Sequence, residues 1–288
     1  MRGVLVTLLL VAGCGRVGFQ PDVDGGPRAD AGSVDGGRVD PTPIGELNTR
    51  SDDNDPSLTE DELEIVFSSD RGGRREIWTA VRAAIGAPWS TPVRAPGLEG
   101  MAVTDPEISL DGLHLFFTRA SDDDLYESVR PSRGSSWPAP VRVAELASAG
   151  SECCAAISRD GLRVVFAWTR GGGDADLYRA SRPAIGMPWG PIQLVSELSS
   201  PRTDINPHWT PDELTIVFDS DRFGGAGRRD LYLATRAAPS DPFSAPARLS
   251  ALATAADDKD AWISPDGRRL WIASDRGGDY DLYVADLP

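Results

Sequence analysis

Two neighbouring cysteines and a recurring set of carboxylates are the residues best equipped for chemistry in this chain. Cys153 and Cys154 are adjacent, and the remaining cysteine, Cys14, lies near the N-terminus. Adjacent α-carbons sit about 3.8 Å apart across a trans peptide, below the usual disulfide window, so a bridge between them is strained and readily reduced. Two readings stand: a vicinal disulfide forming a flat apolar platform, or two half-buried free thiols. No Cys-x-x-Cys or Cys/His spacing points to zinc. The acidic residues fall into two columns. Asp55, Asp105, Cys154, Asn206 and Asp260 form one; Asp53, Val103, Glu152, Asp204 and Asp258 stand two residues earlier. Clustered carboxylates bind Ca²⁺ or an Arg- or Lys-bearing partner, and the plainer reading is loop capping by Asx-turns. A pair such as Asp55 with Asp204 or Glu152 is also what a glycoside hydrolase uses, at roughly 5 Å or 6.5–9.5 Å across the scissile bond. No Gly-x-Ser-x-Gly elbow occurs, which removes a serine hydrolase. His114 and His208 stand singly, and His208, alternating with Trp209, is expected to line a channel.

The columns exist because the chain repeats itself. Turn aspartates recur as Asp61, Asp111, Asp160, Asp212 and Asp266, each in a Ser/Thr-x-Asp-Gly/Glu context. Short apolar runs follow: Ile65-Val66-Phe67, Leu115-Phe116-Phe117, Val164-Val165-Phe166, Ile216-Val217-Phe218 and Leu270-Trp271-Ile272. Bounded by turn residues, these read as strands buried on both faces. A Gly-rich hairpin comes next, as in Ser69-Asp70-Arg71-Gly72-Gly73, then a strand bearing Ile77-Trp78, Leu125-Tyr126, Leu177-Tyr178, Leu231-Tyr232 or Leu282-Tyr283. An aromatic-Pro segment precedes a fourth strand in four repeats, Trp89 with Pro92 being the first; interblade packing is its expected role. Four short strands per period of about fifty residues predict a five-bladed β-propeller over 41–288. The last repeat lacks its fourth strand, and residues 41–48 supply it, because Glu46-Leu47 matches Glu145-Leu146 and Glu197-Leu198. The ring is thus expected to be closed by an N-terminal strand, with both acidic columns near one mouth of the channel.

Upstream, Arg2, the apolar stretch Val4–Val11 and Ala12-Gly13-Cys14 have the layout of a signal peptide. The small residues before Cys14 resemble the bacterial lipobox, which implies cleavage after residue 13 and acylation of Cys14. In the enterobacterial sorting pattern that this resembles, Gly15 rather than Asp after the cysteine directs the anchor to the outer membrane. Residues 14–40 are rich in Gly, Asp and Pro and read as a flexible tether. Net charge is −15, which excludes a basic nucleic-acid surface. Beyond the N-terminus no apolar run is long enough to span a bilayer.

Asp55-Pro56-Ser57-Leu58-Thr59-Glu60-Asp61, with Phe67-Ser68-Ser69-Asp70-Arg71-Gly72-Gly73 and Ile77-Trp78, resembles the TolB-type propeller repeat, also found in OmpA-type envelope proteins. The likeness covers 44–288 and returns five times in order. TolB-like proteins have six blades behind an N-terminal α/β domain, so the repeat is shared and the layout is not. The resemblance implies a non-enzymatic envelope protein that binds a protein, a peptide or peptidoglycan. The alternative is a carbohydrate-active propeller, a glycoside hydrolase or a lectin, using the acidic rim. No resident cofactor is expected, with Ca²⁺ at the rim as the one candidate ion.

Overall fold

Residues 38–170 and 173–287 are described by a computed structural model. The stretch expected to be a signal segment, Cys14 with its expected acylation, and most of the expected tether lie outside the described residues. Five four-stranded antiparallel sheets make up the propeller. The first blade holds β2 (Asp53–Leu58), β3 (Glu64–Ser69), β4 (Glu76–Val81) and β5 (Val93–Arg94), and the second β6 (Val103–Ile108), β7 (His114–Arg119), β8 (Asp124–Val129) and β9 (Val141–Arg142). The third holds β10 (Glu152–Ile157), β11 (Arg163–Trp168), β12 (Asp176–Ser181) and β13 (Gln193–Leu194). The fourth holds β14 (Asp204–Trp209), β15 (Thr215–Ser220), β16 (Asp230–Thr235) and β17 (Ala247–Arg248). The fifth joins β18 (Asp258–Ile263), β19 (Arg269–Ser274) and β20 (Asp281–Asp286) to β1 (Thr42–Pro43), in the order β1-β20-β19-β18.

The expected closure is therefore present. Thr42 pairs with Val284 and Pro43 with Tyr283. Just beyond β1, the Ile44 amide donates to Leu282 O at 3.0 Å, and Leu47 is fully buried. Asn48 clasps the same residue from both sides: its Nδ2 donates to Leu282 O at 3.0 Å, and its Oδ1 accepts from the Leu282 amide at 2.8 Å. The last sheet thereby loses the open edge that would otherwise template aggregation.

Each turn aspartate does local work. Asp61 accepts from Thr59 Oγ1 at 2.7 Å and from the Leu63 amide at 3.1 Å, and the other four turns repeat this pattern. The aromatic-Pro segments pack between blades. Trp137 shares a buried cluster with Val66 and Ile77 of the blade before it, and Phe243 does so with Val165 and Leu177. An arginine clamps each of these rings from above: Arg82 on Trp89, Arg130 on Trp137, Arg182 on Trp189 and Arg236 on Phe243, 4.2 to 4.5 Å from the ring centre. The abundant arginine of this sequence is thus partly structural.

Candidate functional site

The inner strands β2, β6, β10, β14 and β18 share one irregularity that builds the site. Asn54 opposes Ser68 and Ser57 opposes Val66, so two residues of β2 face one of β3, a β-bulge repeated in every blade. The first bulge residue is Asp55, Asp105, Cys154, Asn206 or Asp260, and all five have φ between 53° and 58°. Asp and Asn tolerate this left-handed conformation best among residues with a β-carbon, because their short polar groups bond locally. That explains the Asx column. It leaves Cys154 as the one member whose side chain offers no such compensation. The bulge turns these five side chains into the channel, which they line together with Glu107, His208 and Trp262. The cavity is about 50 Å³, room for one or two waters, each of which takes about 30 Å³ in the liquid.

The ring is tightly knit. Ser68 donates to Asp55, and the Asp105 amide reaches the same carboxyl at 3.3 Å. Thr104 Oγ1 donates to Asp105 at 2.6 Å, Asn206 donates to Asp260, and Lys259 Nζ donates to Asp260 at 2.6 Å. Lys259 is the sole lysine of the chain and is buried, resting on the Tyr280 ring. Burial works against ionised Asp260, but Lys259 and Arg229 outweigh it and hold its carboxyl below the ordinary value. Asp55 moves the other way. Burial, then the charges of Asp260 and Asp105, push it well up, so it carries the proton of the Asp55–Asp260 contact. Asp105 is also raised, chiefly by burial. Behind the ring, burial lifts Asp219 to about 7 against the pull of Arg229.

Two residues further along β6, Glu107 accepts from Ser57 Oγ at 2.7 Å, and burial lifts its carboxyl to about 8. His208 Nε2 lies 3.5 Å from Glu107, while its Nδ1 accepts from the Ile263 amide at 3.3 Å. Burial lowers His208 to about 3, so both groups are neutral near pH 7 and their contact is polar rather than ionic. A carboxyl raised from 4.5 to about 8 contributes stability that is whole below its unfolded value and is lost as pH rises through about 8. Urea midpoints should therefore fall between about pH 5 and 9, and Glu107→Gln should remove roughly 3–5 kcal/mol of that fall. An unchanged pH slope in Glu107→Gln would show that Glu107 ionises as an ordinary surface acid.

The second acidic column departs from expectation. Asp53, Asp204 and Asp258 are buried within their blades, where Arg71, Arg222 and Arg276 neutralise them at 2.5, 2.5 and 2.6 Å. Each also takes a hydrogen bond from the loop before its strand, from Thr49, Ser200 or Thr254. Glu152, fully buried, bonds to Ser148. Strand alternation is the reason: residues 53 and 55 would share a face in a regular strand, but the bulge intervenes and sends only the later one into the channel. These residues do not line the channel cavity, so pairing Asp55 with Asp204 or Glu152 across a sugar is not available. His114, read as solitary, meets Glu127 at 2.8 Å from the neighbouring strand. Glu107, Lys259 and Asp219 escaped sequence reasoning. Lys259 alone carried a signal, as the only lysine and a neighbour of the bulge column.

Cys153 and Cys154 form a vicinal disulfide at the channel mouth. Their sulfurs and the Asp105 carboxylate gather within 4.8 Å of one another.

Comparison with family models and with curated sequences gives no match. Solved structures share the fold. An α-L-arabinofuranosidase from Podospora anserina, solved with cellotriose, superposes with a TM-score of 0.60 at 12% identity, covering 86% of this chain and 96% of that one. The endo-arabinase of Bacteroides thetaiotaomicron gives 0.60 at 14% identity, covering 86% and 96%. A putative TolB from Agrobacterium tumefaciens gives 0.51 at 15% identity, covering 87% and 98%. At such identities the likeness is one of fold: this chain is a five-bladed β-propeller.

Proposed function

We propose that this protein is a non-enzymatic envelope component, lipid-anchored through Cys14 to the outer membrane, whose propeller binds a protein, peptide or peptidoglycan partner by a cationic group. One observation carries the reading: the bulge ring of Asp55, Asp105, Asn206 and Asp260 around a cavity of about 50 Å³. An ammonium or guanidinium tip is small enough for that cavity and meets carboxyl and amide oxygens around it. Burial, together with the neighbouring carboxylates, raises Asp55 and Asp105 above the ordinary carboxyl range, and the Lys259 charge only partly offsets it. An arriving cation favours their ionised forms, so binding releases protons and tightens as pH rises. The tether sets the reach of the propeller from the membrane.

The carbohydrate-active alternative draws support from Glu107, a carboxyl kept protonated to about pH 8 as a general acid must be. Its polar neighbours are Ser57 and neutral His208, and the other carboxyls lining the cavity are Asp55, Asp105 and Asp260 of the ring. In intact cells, crosslinking should co-purify one envelope partner with the parent protein and lose it with Asp55→Asn/Asp105→Asn. Turnover on an oligosaccharide panel, abolished by Glu107→Gln, would replace this reading with the hydrolase.

A further inference from the structure

Cys153 and Cys154 do not belong to the electrostatic logic of the ring. Four blades place Asp or Asn at the bulge, where φ is positive; the third places Cys154 there at φ 58°. A residue without an Asx side chain in that conformation costs on the order of 1 kcal/mol or more, and such strain persists mainly at functional positions. The neighbouring column position, held by Asn54, Thr104, Ile205 and Lys259 elsewhere, is Cys153. Across the blade boundary stands Asp105, positioned by the hydrogen bond from Thr104 Oγ1 at 2.6 Å. The two sulfurs and a carboxylate oxygen of Asp105 all lie within 4.8 Å of one another, compatible with a shared ion at ordinary metal–sulfur and metal–oxygen lengths of about 2.3 and 2.0–2.2 Å. Cys154 and Asp105 both line the channel cavity, which gives an ion its path.

We propose that the channel mouth is a redox-gated site for a thiophilic divalent cation, Zn²⁺ in the first instance, held by the Cys153 and Cys154 thiolates and the Asp105 carboxylate. This inference stands independently of the cationic-partner reading, although both use Asp105. While the disulfide is intact, neither sulfur is a thiolate and the site is closed. A dithiol donor opens it: one donor thiolate attacks a sulfur of the bridge, forming a mixed disulfide and freeing the other cysteine. The donor's second thiol then displaces the protein sulfur, so the donor leaves as a disulfide and the protein keeps two thiols. Ion binding expels the two thiol protons and whatever proton Asp105 carries, and water completes the tetrahedral set that Zn²⁺ favours. Two soft sulfurs with one carboxylate select Zn²⁺ or Cd²⁺ over Ca²⁺, which takes six or more oxygens.

The full chain, reduced with a phosphine under anaerobic conditions, is titrated with Cd²⁺ while the ultraviolet sulfur-to-cadmium charge-transfer band is followed, and then with Zn²⁺ against a chromophoric chelator. The reduced protein should bind one equivalent and the oxidised protein none. Asp105→Asn, nearly isosteric, should weaken Zn²⁺ at least about tenfold while leaving both thiols open to alkylation, and Cys153→Ser/Cys154→Ser should abolish the band. A cysteine pair that stays bridged under reductant, absence of the band after reduction, or equal Zn²⁺ affinity in Asp105→Asn would overturn the proposal. Ca²⁺ in excess should not compete; full displacement by Ca²⁺ would likewise overturn it. A parent protein that binds Zn²⁺ after reduction but captures no envelope partner fails the cationic-partner reading alone, whereas one that captures the partner but binds no Zn²⁺ after reduction fails this proposal alone.

Discussion

Removing residues 38–48 should cost the propeller on the order of 4–8 kcal/mol, most of the 5–15 kcal/mol that a folded domain has to lose. Ile44 and Leu47 are buried against the last and first blades, and each is worth about 1.5–3 kcal/mol out of water. The deletion also strips three hydrogen bonds from Leu282, those from Ile44 and the Asn48 side chain, and exposes the β20 edge. The damage should be non-local, because this segment ties the last blade to the first. The check compares the melting temperature of residues 38–288 with that of 49–288, with Leu47→Ala as a milder version expected to cost about 2–5 kcal/mol. Equal melting temperatures would mean that the ring closes through blade packing alone.

Arg130→Met should be the most damaging single substitution, at about 3–5 kcal/mol. Its guanidinium holds both oxygens of buried Glu64 at 2.8 and 2.7 Å, donates from Nε to Gly112 O at 2.7 Å, and covers Trp137. Glu64 belongs to the first blade and Arg130 to the second, so this one side chain joins two blades. The cost lies less in the broken hydrogen bonds than in the Glu64 carboxylate left buried; Arg133, at 3.4 Å and partly exposed, replaces little of the charge. The double substitution Arg130→Met/Glu64→Met removes that orphan and should recover much of the stability. Denaturant unfolding of both singles and the double gives the cycle; purely additive costs would show that the pair is not coupled.

Much of this architecture is legible because the repeat is written five times. The turn aspartates, the buried strand triplets and the Leu-Tyr strands each carry a period-bound signal, and Glu46-Leu47 betrayed the displaced strand by matching Glu145-Leu146. The site was half legible. The repeat columns mark the ring of Asp55, Asp105, Cys154, Asn206 and Asp260, which lines the channel. They misplace Asp53, Asp204 and Asp258, because strand periodicity cannot reveal a bulge that shifts the register by one residue. The arginines that neutralise them, such as Arg71 eighteen positions from Asp53, sit in the next hairpin and leave no short-range mark. Glu107 was invisible for another reason: its equivalents are Ser57, Ala156, His208 and Trp262, so nothing in the repeat announces a carboxyl there.

The aromatic-Pro segments show the reverse case, in which pattern and packing agree. Trp89, Trp137, Trp189 and Phe243 recur at one place in the blade, and each is covered by an arginine seven residues before it. With its faces engaged in packing, such a ring is no platform for sugar, which removes one argument for a lectin.

A channel mouth that selects a cationic group is tested most directly by calorimetric titration of short peptides identical except for Lys, Met or Glu at one position, against the parent protein and Asp55→Asn/Asp105→Asn. The Lys peptide should bind the parent with proton release and with affinity that grows as pH rises, and should lose at least about tenfold in the double variant. Equal binding of the three peptides, or a Lys peptide indifferent to Asp55→Asn/Asp105→Asn, would contradict it.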